Sequence, residues 1–257
     1  MKIRVINVAS ATTRMAFQGE QLKRLGLAFE RIEAMTPDTL SPPSDDASWA
    51  TWERPMREIE KALYASHRSV WAKIAAEDGP CLVLEDDALL SARTPELLGA
   101  LATEIGIEHV TLEVRNRAKN VAKKPHPSRP LRRLYQDRTG AAAYVLWPKG
   151  ADKLLARPVG LADAVICAAY NMQSYQADPA LAIQIDQCGN YGIPAPIEVS
   201  SAPLSQPKPN VSGFSVQQQI RFRRRRIASQ IRMAWRTLCC AAVSKRRMIS
   251  IAPDIGA

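Results

Sequence analysis

The spacing of apolar residues predicts that strands and helices alternate along most of the chain. Short alternating or β-branched runs predict strands, and apolar residues repeated every three or four positions predict helices. The predicted strands span 2–8, 27–32, 81–84, 107–114, 140–147 and 180–185, and the predicted helices span 12–26, 56–77, 148–156 and 163–174, with a further helix starting at Thr94. This alternation is typical of an α/β fold with a mainly parallel sheet covered on both faces.

Three stretches lack this pattern. Residues 36–53 and 115–138 are rich in Pro and in polar or charged residues, which predicts two long loops. Residues 191–213 have the Pro- and Ser-rich composition of a linker. A helix is predicted after it, from 214 to 242.

The positive charge is concentrated near the C-terminus. The formal net charge is +10, and residues 199–253 contain no Asp or Glu. The cations of this stretch are Lys208, Arg221, Arg223, Arg224, Arg225, Arg226, Arg232, Arg236, Lys245, Arg246 and Arg247. They account for the whole excess, so we expect a nearly neutral domain at 1–198 and a linker with a basic helical tail at 199–257.

The predicted tail helix is amphipathic. At about 100° per residue, five apolar residues fall in one stripe, with most arginines on its flank or opposite side. The stripe consists of Ile220, Ile227, Ile231, Trp235 and Leu238. A basic amphipathic helix is typical of binding to an anionic membrane surface, which we expect for residues 214–242. The alternatives are a solvated tail, or a nucleic-acid- or polyanion-binding protein, although the tail has few aromatic residues for stacking on bases.

Other features exclude several classes of protein. The chain has no apolar run of about 18 residues or more, and its alternating N-terminus lacks a signal-peptide core. We therefore expect a cytoplasmic protein, peripheral on the inner face of the plasma membrane. The five cysteines form no C-x-x-C pair, and neither a Gly-rich nucleotide-binding loop nor a Gly-x-Ser-x-Gly elbow is present. Zinc sites, dehydrogenases, NTPases and hydrolases are disfavoured.

The most informative segment is the apolar run at 81–84, which ends in Glu85, Asp86 and Asp87. A buried strand would carry these three carboxylates to one edge of the sheet. Because adjacent carboxylates repel one another, they require a cation or several hydrogen-bond donors nearby. A divalent metal that holds a phosphorylated ligand meets this requirement. An acidic turn that caps a following helix is the structural alternative.

Several short segments follow one another in a specific order and spacing. They are Val5-Ile6-Asn7 with Arg14, Ala62 to His67 with Trp71, Leu82 to Ala88, Leu112-Glu113, Thr139 to Leu154, Asp163, and Pro179 with Gln184. Together they resemble glycosyltransferase family 25, the lipopolysaccharide galactosyltransferase-like enzymes. The resemblance covers about residues 2–190 and leaves out the tail. The glycine-cysteine of many members is missing before Ser66, and the stretch 115–138 is unusually basic, so acceptor choice is expected to differ.

The resemblance implies a nucleotide-sugar-binding fold of the GT-A type. It also implies a UDP-hexose donor, with galactose the expected hexose, a divalent metal that is Mn²⁺ or Mg²⁺, and inversion at the anomeric carbon. The acceptor would be a saccharide, free or lipid-linked, of a lipopolysaccharide or related surface glycan. A nucleic-acid partner is not expected from it.

The resemblance to acid-x-acid sites implies roles for the three carboxylates. Asp87 is the expected metal ligand. Glu85 would be the second metal residue or lie nearer the ribose or a metal-bound water, and Asp86 would orient sugar hydroxyls or support the turn.

An inverting transfer needs one base to accept the proton of the acceptor hydroxyl, and two carboxylates are candidates. We favour Asp163, whose structural alternative is a helix N-cap. Glu113 closes a predicted strand, and its structural alternative is pairing with Arg115 or Arg117.

Four further residues are candidates for contact with the donor. Asn7 and Arg14 lie near the carboxyl end of the first strand, the edge at which open α/β sheets bind ligands. His67 would contact the donor or the metal, its alternative being a satisfied interior histidine. Gln184 would hydrogen-bond the substrate or satisfy a strand end.

Overall fold

Strands and helices alternate over the part of the chain that the computed structural model describes, residues 1–138, 140–199, 209 and 211–256. The strands are β1 (Lys2–Asn7), β2 (Glu30–Glu33), β3 (Cys81–Glu85), β4 (Ala88–Leu90), β5 (His109–Thr111), β6 (Lys119–Ala122), β7 (Leu131–Gln136), β8 (Ala143–Leu146), β9 (Ser174–Ala177), β10 (Ala182–Gln184) and β11 (Ser244–Arg247). The helices are α1 (Thr12–Arg24), α2 (Glu58–Ala75), α3 (Thr94–Leu101), α4 (Pro148–Leu155), α5 (Ala162–Cys167) and α6 (Val216–Cys240).

Nine of the described strands form one mixed sheet in the order β11-β6-β7-β9-β5-β8-β3-β1-β2, and β4 pairs with β10 in a second, small sheet. The pairs β1–β2, β1–β3 and β5–β9 are parallel, and the other five pairs of the large sheet are antiparallel. The sheet is mainly parallel in strand direction, since only β7, β8 and β11 run against the other six. β8 lies between β3 and β5 and produces two of the antiparallel pairs.

Apolar residues on both faces of the large sheet form two core clusters. β3 contributes to both, with Leu82 and Leu84 on one face and Cys81 and Val83 on the other, all fully buried. α2 covers the second face through an apolar stripe that includes Trp71. Because its neighbours β1 and β8 and the two cores fix β3 on every side, its last residue has a defined position at the edge of the sheet.

The prediction of one long loop at 115–138 is wrong, because β6 and β7 lie in it and extend the sheet. Their apolar residues are buried in the first core, but long cationic residues separate them in the sequence. Two of those cations are neutralised in the fold: Lys119 is buried 2.6 Å from Asp137, and Arg132 pairs with Asp178. A third, Arg133, donates to backbone carbonyls and packs over the ring of Tyr175. The sequence of these strands therefore lacks a clear apolar–polar alternation, because it contains basic residues whose carboxylate partners are distant in the sequence.

Several helices and strands begin or end at other residues than the sequence predicts. The second strand starts at Glu30 and not at residue 27, and the loop at 36–53 contains two short 3-10 helices. The helix predicted to run from Asp163 to residue 174 ends at Cys167, and β9 follows because residues 174–177 pair with both β5 and β7. The strand predicted as the last one, β10, is followed by β11.

The C-terminal stretch only partly has the predicted organisation. The helix predicted at 214–242 is present as α6, and residues 200–208 and 210 of the predicted linker lie outside the described residues. After α6 the chain returns to the domain, since β11 pairs with β6 and Ile249 and Ile255 are buried in the first core. The predicted boundary after residue 198 therefore does not separate a tail from the body. Among the helices described, none is long and apolar enough to cross a membrane.

Replacing Ile255 by Ala tests whether the end of the chain belongs to the core. Because the side chain is 5% exposed, its truncation leaves a cavity, and we expect a loss of about 2 to 5 kcal/mol in the free energy of unfolding, measured by urea titration. The control is Ile105→Ala at a site that is 93% exposed, where the change should stay below about 0.5 kcal/mol. Equal effects of the two variants would contradict this placement.

Candidate active site

The acidic turn lies where β1 and β3 end. These strands are parallel and in register, so Asn7 and Glu85 reach the same edge of the sheet. Asp86 and Asp87 form the turn between β3 and β4. β10 pairs with β4 and places Gln184 opposite Ala88, which brings its side chain to the acids. A strand follows the turn, so the structural alternative of a helix-capping turn is not what the chain forms.

Each carboxylate of the turn has a different partner. Asp86 accepts from Asn7 Nδ2 at 2.6 Å, and its other oxygen lies 3.3 Å from an Arg14 guanidinium nitrogen. Gln184 Nε2 donates to Asp87 at 3.2 Å and lies 3.4 Å from Glu85 Oε2. One amide group therefore serves both Glu85 and Asp87, and no cation forms an ion pair with Asp87 among the described residues.

Burial raises the pKa of Glu85 and of Asp87, because few positive charges or hydrogen-bond donors lie near them. The pKa of Glu85 is raised to about 7, mainly by burial, although the nearby Arg115 partly opposes the shift. The pKa of Asp87 is also raised to about 7, by burial and then by repulsion from Glu85. Burial raises the pKa of Asp86 as well, and Arg14 opposes that shift. The three acids are thus held together at a cost in electrostatic energy.

A cavity of about 420 Å³ opens in front of the turn. The ionisable residues that line it among those described are Arg14, Glu60, Glu85, Asp86, Asp87, Arg115, Asp163 and Asp186. Six are carboxylates and two are arginines. Arg54 pairs with Glu60 at 2.8 Å, and the remaining five carboxylates still outnumber the two arginines, so the cavity carries an excess of negative charge. An anionic ligand such as a diphosphate requires additional positive charge to bind here.

Asp163 faces this cavity from α5. It is half-buried, and its Oδ1 accepts from the backbone N–H of Ala164 at 2.7 Å. The N-cap of α5 is Leu161, so Asp163 lies inside the first turn and is not the predicted N-cap. Burial raises its pKa above the usual range. A carboxylate with a raised pKa and access to the cavity is suited to accept a proton.

Glu113, the other candidate base, does not line the cavity. It is 1% exposed, its Oε1 accepts from Ala142 N–H at 3.2 Å, and its Oε2 has no hydrogen-bond partner. It forms no ion pair with Arg115 or Arg117 among the described residues, so the predicted structural alternative is not seen either. Gly140, which has φ +122, passes so close that a Cβ there would lie 2.7 Å from Glu113 Oε1. Glu113 thus supports the segment that leads into β8.

His67 lies beneath the acidic turn and does not face the cavity. It is fully buried, with Nε2 at 3.2 Å from Glu85 Oε1 and Nδ1 at 2.9 Å from the Tyr144 hydroxyl. Trp71 Nε1 donates to the same hydroxyl at 2.8 Å. Burial lowers the pKa of His67 to about 4, so the ring is neutral. An ionised Glu85 can only accept, so Nε2 carries the proton and Nδ1 accepts from Tyr144.

The structure brings most predicted donor-binding residues together. Arg14, Asp86 and Gln184 line the cavity, whereas Asn7 is buried under Asp86 and also accepts from Arg31 at 2.8 Å. Sequence reasoning did not assign Arg115 to the site. Arg115 lines the cavity, donates to Gln184 Oε1 and lies 3.7 Å from Asp186. The sequence feature that could have identified Arg115 as a site residue is its position two residues after Glu113, which closes a predicted strand.

The carboxylates of the acidic turn fit a metal whose remaining ligands come from a substrate. Among the described residues, no cluster of three or more His, Cys, Asp or Glu side chains could hold a metal ion on its own. Glu85 and Asp87 provide carboxylate oxygens, and the Gln184 amide, which lies within hydrogen-bonding distance of both, holds them side by side. Mg²⁺ and Mn²⁺ prefer such oxygens, and Mg²⁺ is commonly held by one or two carboxylates together with substrate phosphates and water. The residues present therefore fit a metal that binds with a nucleotide.

Sequence comparisons find relatives of this chain. The sequence model of glycosyltransferase family 25 (LPS biosynthesis protein) matches residues 1–159, more than half of the chain. The lipooligosaccharide biosynthesis protein lic2B of Haemophilus influenzae is 24% identical over 201 residues, which are 71% of this chain and 76% of that protein. The family match includes β1, α2 and the acidic turn.

Solved structures give more distant likenesses. A mutant of Drosophila β1,4-galactosyltransferase 7, in complex with manganese, UDP-Gal and xylobiose, covers 82% of this chain and 80% of its own at 8% identity, with a TM-score of 0.38. The inositol-1-phosphate CTP transferase of T. maritima covers 74% and 71% at 13% identity, with a TM-score of 0.38. At these TM-scores neither structure assigns a residue, a ligand or a reaction to this chain.

Glu113 makes the stability of the protein depend on pH. Burial raises its pKa from 4.5 to about 8, so between these values the folded chain keeps a proton that the unfolded chain has lost. The free energy of unfolding therefore falls as the pH rises through this window. For Glu113→Gln, which keeps an acceptor oxygen for Ala142, we expect a gain of about 4 kcal/mol at pH 8 and little change near pH 4.5.

Urea unfolding at the two pH values measures this difference. The control is Glu20→Gln, which makes the same chemical change at an exposed carboxylate. A gain of equal size at both pH values in Glu113→Gln would contradict the raised pKa.

Proposed function

The chain belongs to glycosyltransferase family 25 and is a glycosyltransferase of lipopolysaccharide biosynthesis, and on this basis we propose its donor, metal and mechanism. The donor is a UDP-hexose, with galactose the first sugar to test. The acceptor is a saccharide hydroxyl of a lipopolysaccharide or related glycan. The transfer inverts the anomeric carbon and requires Mn²⁺ or Mg²⁺. The GT-A type of fold and a cytoplasmic location are part of the same proposal.

One observation carries this proposal: the acidic turn, two arginines and Asp163 face the same cavity. Arg14 and Arg115 offer guanidinium groups to phosphate oxygens, which they bind well because of their planar donor geometry. The cavity volume of about 420 Å³ lies in the range of small-molecule and cofactor sites. Asp86, held by Asn7 and Arg14, is placed to orient hydroxyl groups of the sugar or ribose.

Asp87 and Glu85 are the residues that would hold the metal. The two arginines leave the six carboxylates of the cavity in excess, so a diphosphate would be repelled without a further cation. When bound, a divalent cation neutralises the negative charge that grows on the departing diphosphate. Gln184 keeps the two carboxylates side by side, and His67 fixes Glu85 from below.

Asp163 is the residue we assign as the base. The oxygen of the acceptor hydroxyl attacks the anomeric carbon as its proton passes to the Asp163 carboxylate. The bond from the sugar to the diphosphate breaks, and its electron pair leaves with UDP. One displacement of this kind inverts the anomeric carbon. Arg14 and Arg115 remain bound to the phosphate oxygens that receive the charge.

The alternative function, binding of nucleic acid or another polyanion through the basic tail, is not favoured by the comparisons. Both sequence matches are to proteins of saccharide biosynthesis. The acidic cavity, which no described residue of α6 lines, has no role in that alternative.

Asp87→Ala tests the proposed metal site. With wild-type protein, UDP and Mn²⁺ together should raise the melting temperature by several degrees, because a ligand at 100 times its Kd adds about 2.7 kcal/mol to stability. In Asp87→Ala this protection should disappear. The control is Asp78→Ala, an exposed aspartate before β3, which should keep the protection. Protection that persists in Asp87→Ala would exclude this residue as a ligand.

Asp163→Asn tests the proposed base. The amide cannot accept the proton, so we expect the rate of hexose transfer to fall about 10²- to 10⁴-fold, with UDP protection unchanged. The discriminating variant is Glu113→Gln, assayed at pH 7 with the same donor. A large loss of transfer in that variant, together with normal rates in Asp163→Asn, would assign the base to Glu113.

A further inference from the structure

α6 packs on the domain through its polar and basic face. Phe222 and Cys240 are buried on this face. Between them, Arg225 donates to the Ala50 carbonyl, and Arg236 stacks on the rings of Tyr135 and Tyr170 at 5.6 and 5.4 Å. The hydrogen bonds and cation–π contacts on this face fix the rotation of the helix about its own axis.

This rotation turns the apolar stripe of α6 away from the domain. Its large residues are between 49% and 67% exposed, namely Ile220, Ile227, Ile231, Trp235 and Leu238. An amphipathic helix on a globular domain normally buries its apolar stripe. Here the opposite face is buried, so five large side chains form an uncovered apolar surface on the described part of the protein.

Two cations lie in and beside this surface. At about 100° per residue, Arg224 falls within the stripe, between Ile231 and Trp235, and Arg223 falls on the border next to Ile227. Both are exposed, and neither takes part in an ion pair with a described carboxylate. Residues 199–253 contain no acid that could neutralise them. The surface therefore combines apolar side chains with unneutralised positive charge.

We propose that the outward face of α6 binds an anionic lipid surface. Apolar side chains enter the boundary between head groups and acyl chains, and Arg223 and Arg224 reach the phosphates with their stems along the apolar region. The core of a protein interface is depleted in charged residues, unlike this face. A nucleic-acid surface would use aromatic stacking, and the stripe has one aromatic residue.

α6 lies next to the segment that carries Asp163, the proposed base. Arg225 of α6 donates to the carbonyls of Ala50 and Trp52, and the ring of Trp52 packs on Gly160, three residues before Asp163. Membrane binding would therefore hold the Asp163 wall of the cavity near the lipid. This consequence, which rests on the proposed function, favours a lipid-linked saccharide as the acceptor.

Cosedimentation of the full chain with lipid vesicles tests the proposal. We expect binding to vesicles of equimolar phosphatidylglycerol and phosphatidylcholine, and little binding to phosphatidylcholine alone. The apolar variant Ile231→Ser/Trp235→Ser should bind the anionic vesicles at least tenfold more weakly. Its control is Ile105→Ser, an exposed isoleucine far from α6 in sequence, which should bind like the wild type.

A second pair of variants tests the charge. Arg223→Gln/Arg224→Gln should weaken binding to the anionic vesicles about thirtyfold, on the basis of the usual contribution of a basic residue near such a surface. The matched control, Lys23→Gln/Arg24→Gln, removes two exposed cations of α1 and should have no effect. Circular dichroism and thermal unfolding verify that each variant is folded.

Three results would overturn the proposal. The first is unchanged vesicle binding in the apolar variant. The second is equal loss of binding to vesicles and to double-stranded DNA in the charge variant, with no effect of the apolar variant, which would indicate a polyanion surface. The third is a concentration-dependent dimer that only the apolar variant abolishes, which would indicate an interface between two copies. Protection by UDP and Mn²⁺, measured on the same variants, shows separately whether the proposed function holds.

Discussion

Burial of like charges at the end of β3 is the constraint on which the site depends. Glu85 and Asp87 share one amide donor, and both have a pKa raised to about 7 because the fold offers them little compensation. A stable domain tolerates such a cluster when a ligand supplies the missing positive charge. The apolar residues of β3, buried on both faces, keep the acids at this edge of the sheet.

A directed chain of hydrogen bonds holds the cluster from below. Trp71 can only donate, and it donates to the Tyr144 hydroxyl. That hydroxyl donates to His67 Nδ1, and His67 Nε2 donates to an ionised Glu85. Trp71 and Tyr144 belong to the second core cluster, between α2 and the sheet, and the buried ring of His67 stacks on Tyr144. The conformation of Glu85 is therefore coupled to the packing of α2, which also lines the cavity through Glu60 and Ser66.

The sequence predicts the acidic turn, α1, α2 and α4 well because local signals agree there: a periodic apolar stripe, a proline at a helix start, and an apolar run that ends in charge. It does not predict β6 and β7, since the cations of those strands are neutralised only by residues such as Asp137 and Asp178. Arg115 was missed as a site residue for the same reason, because its partners Gln184 and Asp186 are about 70 residues away. The return of the chain as β11 after a basic helix has no local signal at all.

Isothermal titration calorimetry of UDP with the purified wild-type protein, in the presence and absence of Mn²⁺, shows whether the acidic cavity needs a divalent cation to accept a diphosphate. If it does, UDP should bind at least tenfold more tightly with Mn²⁺ than without it. Equal affinity under both conditions, or no uptake of UDP in either, would show that Glu85 and Asp87 do not hold a metal for a nucleotide.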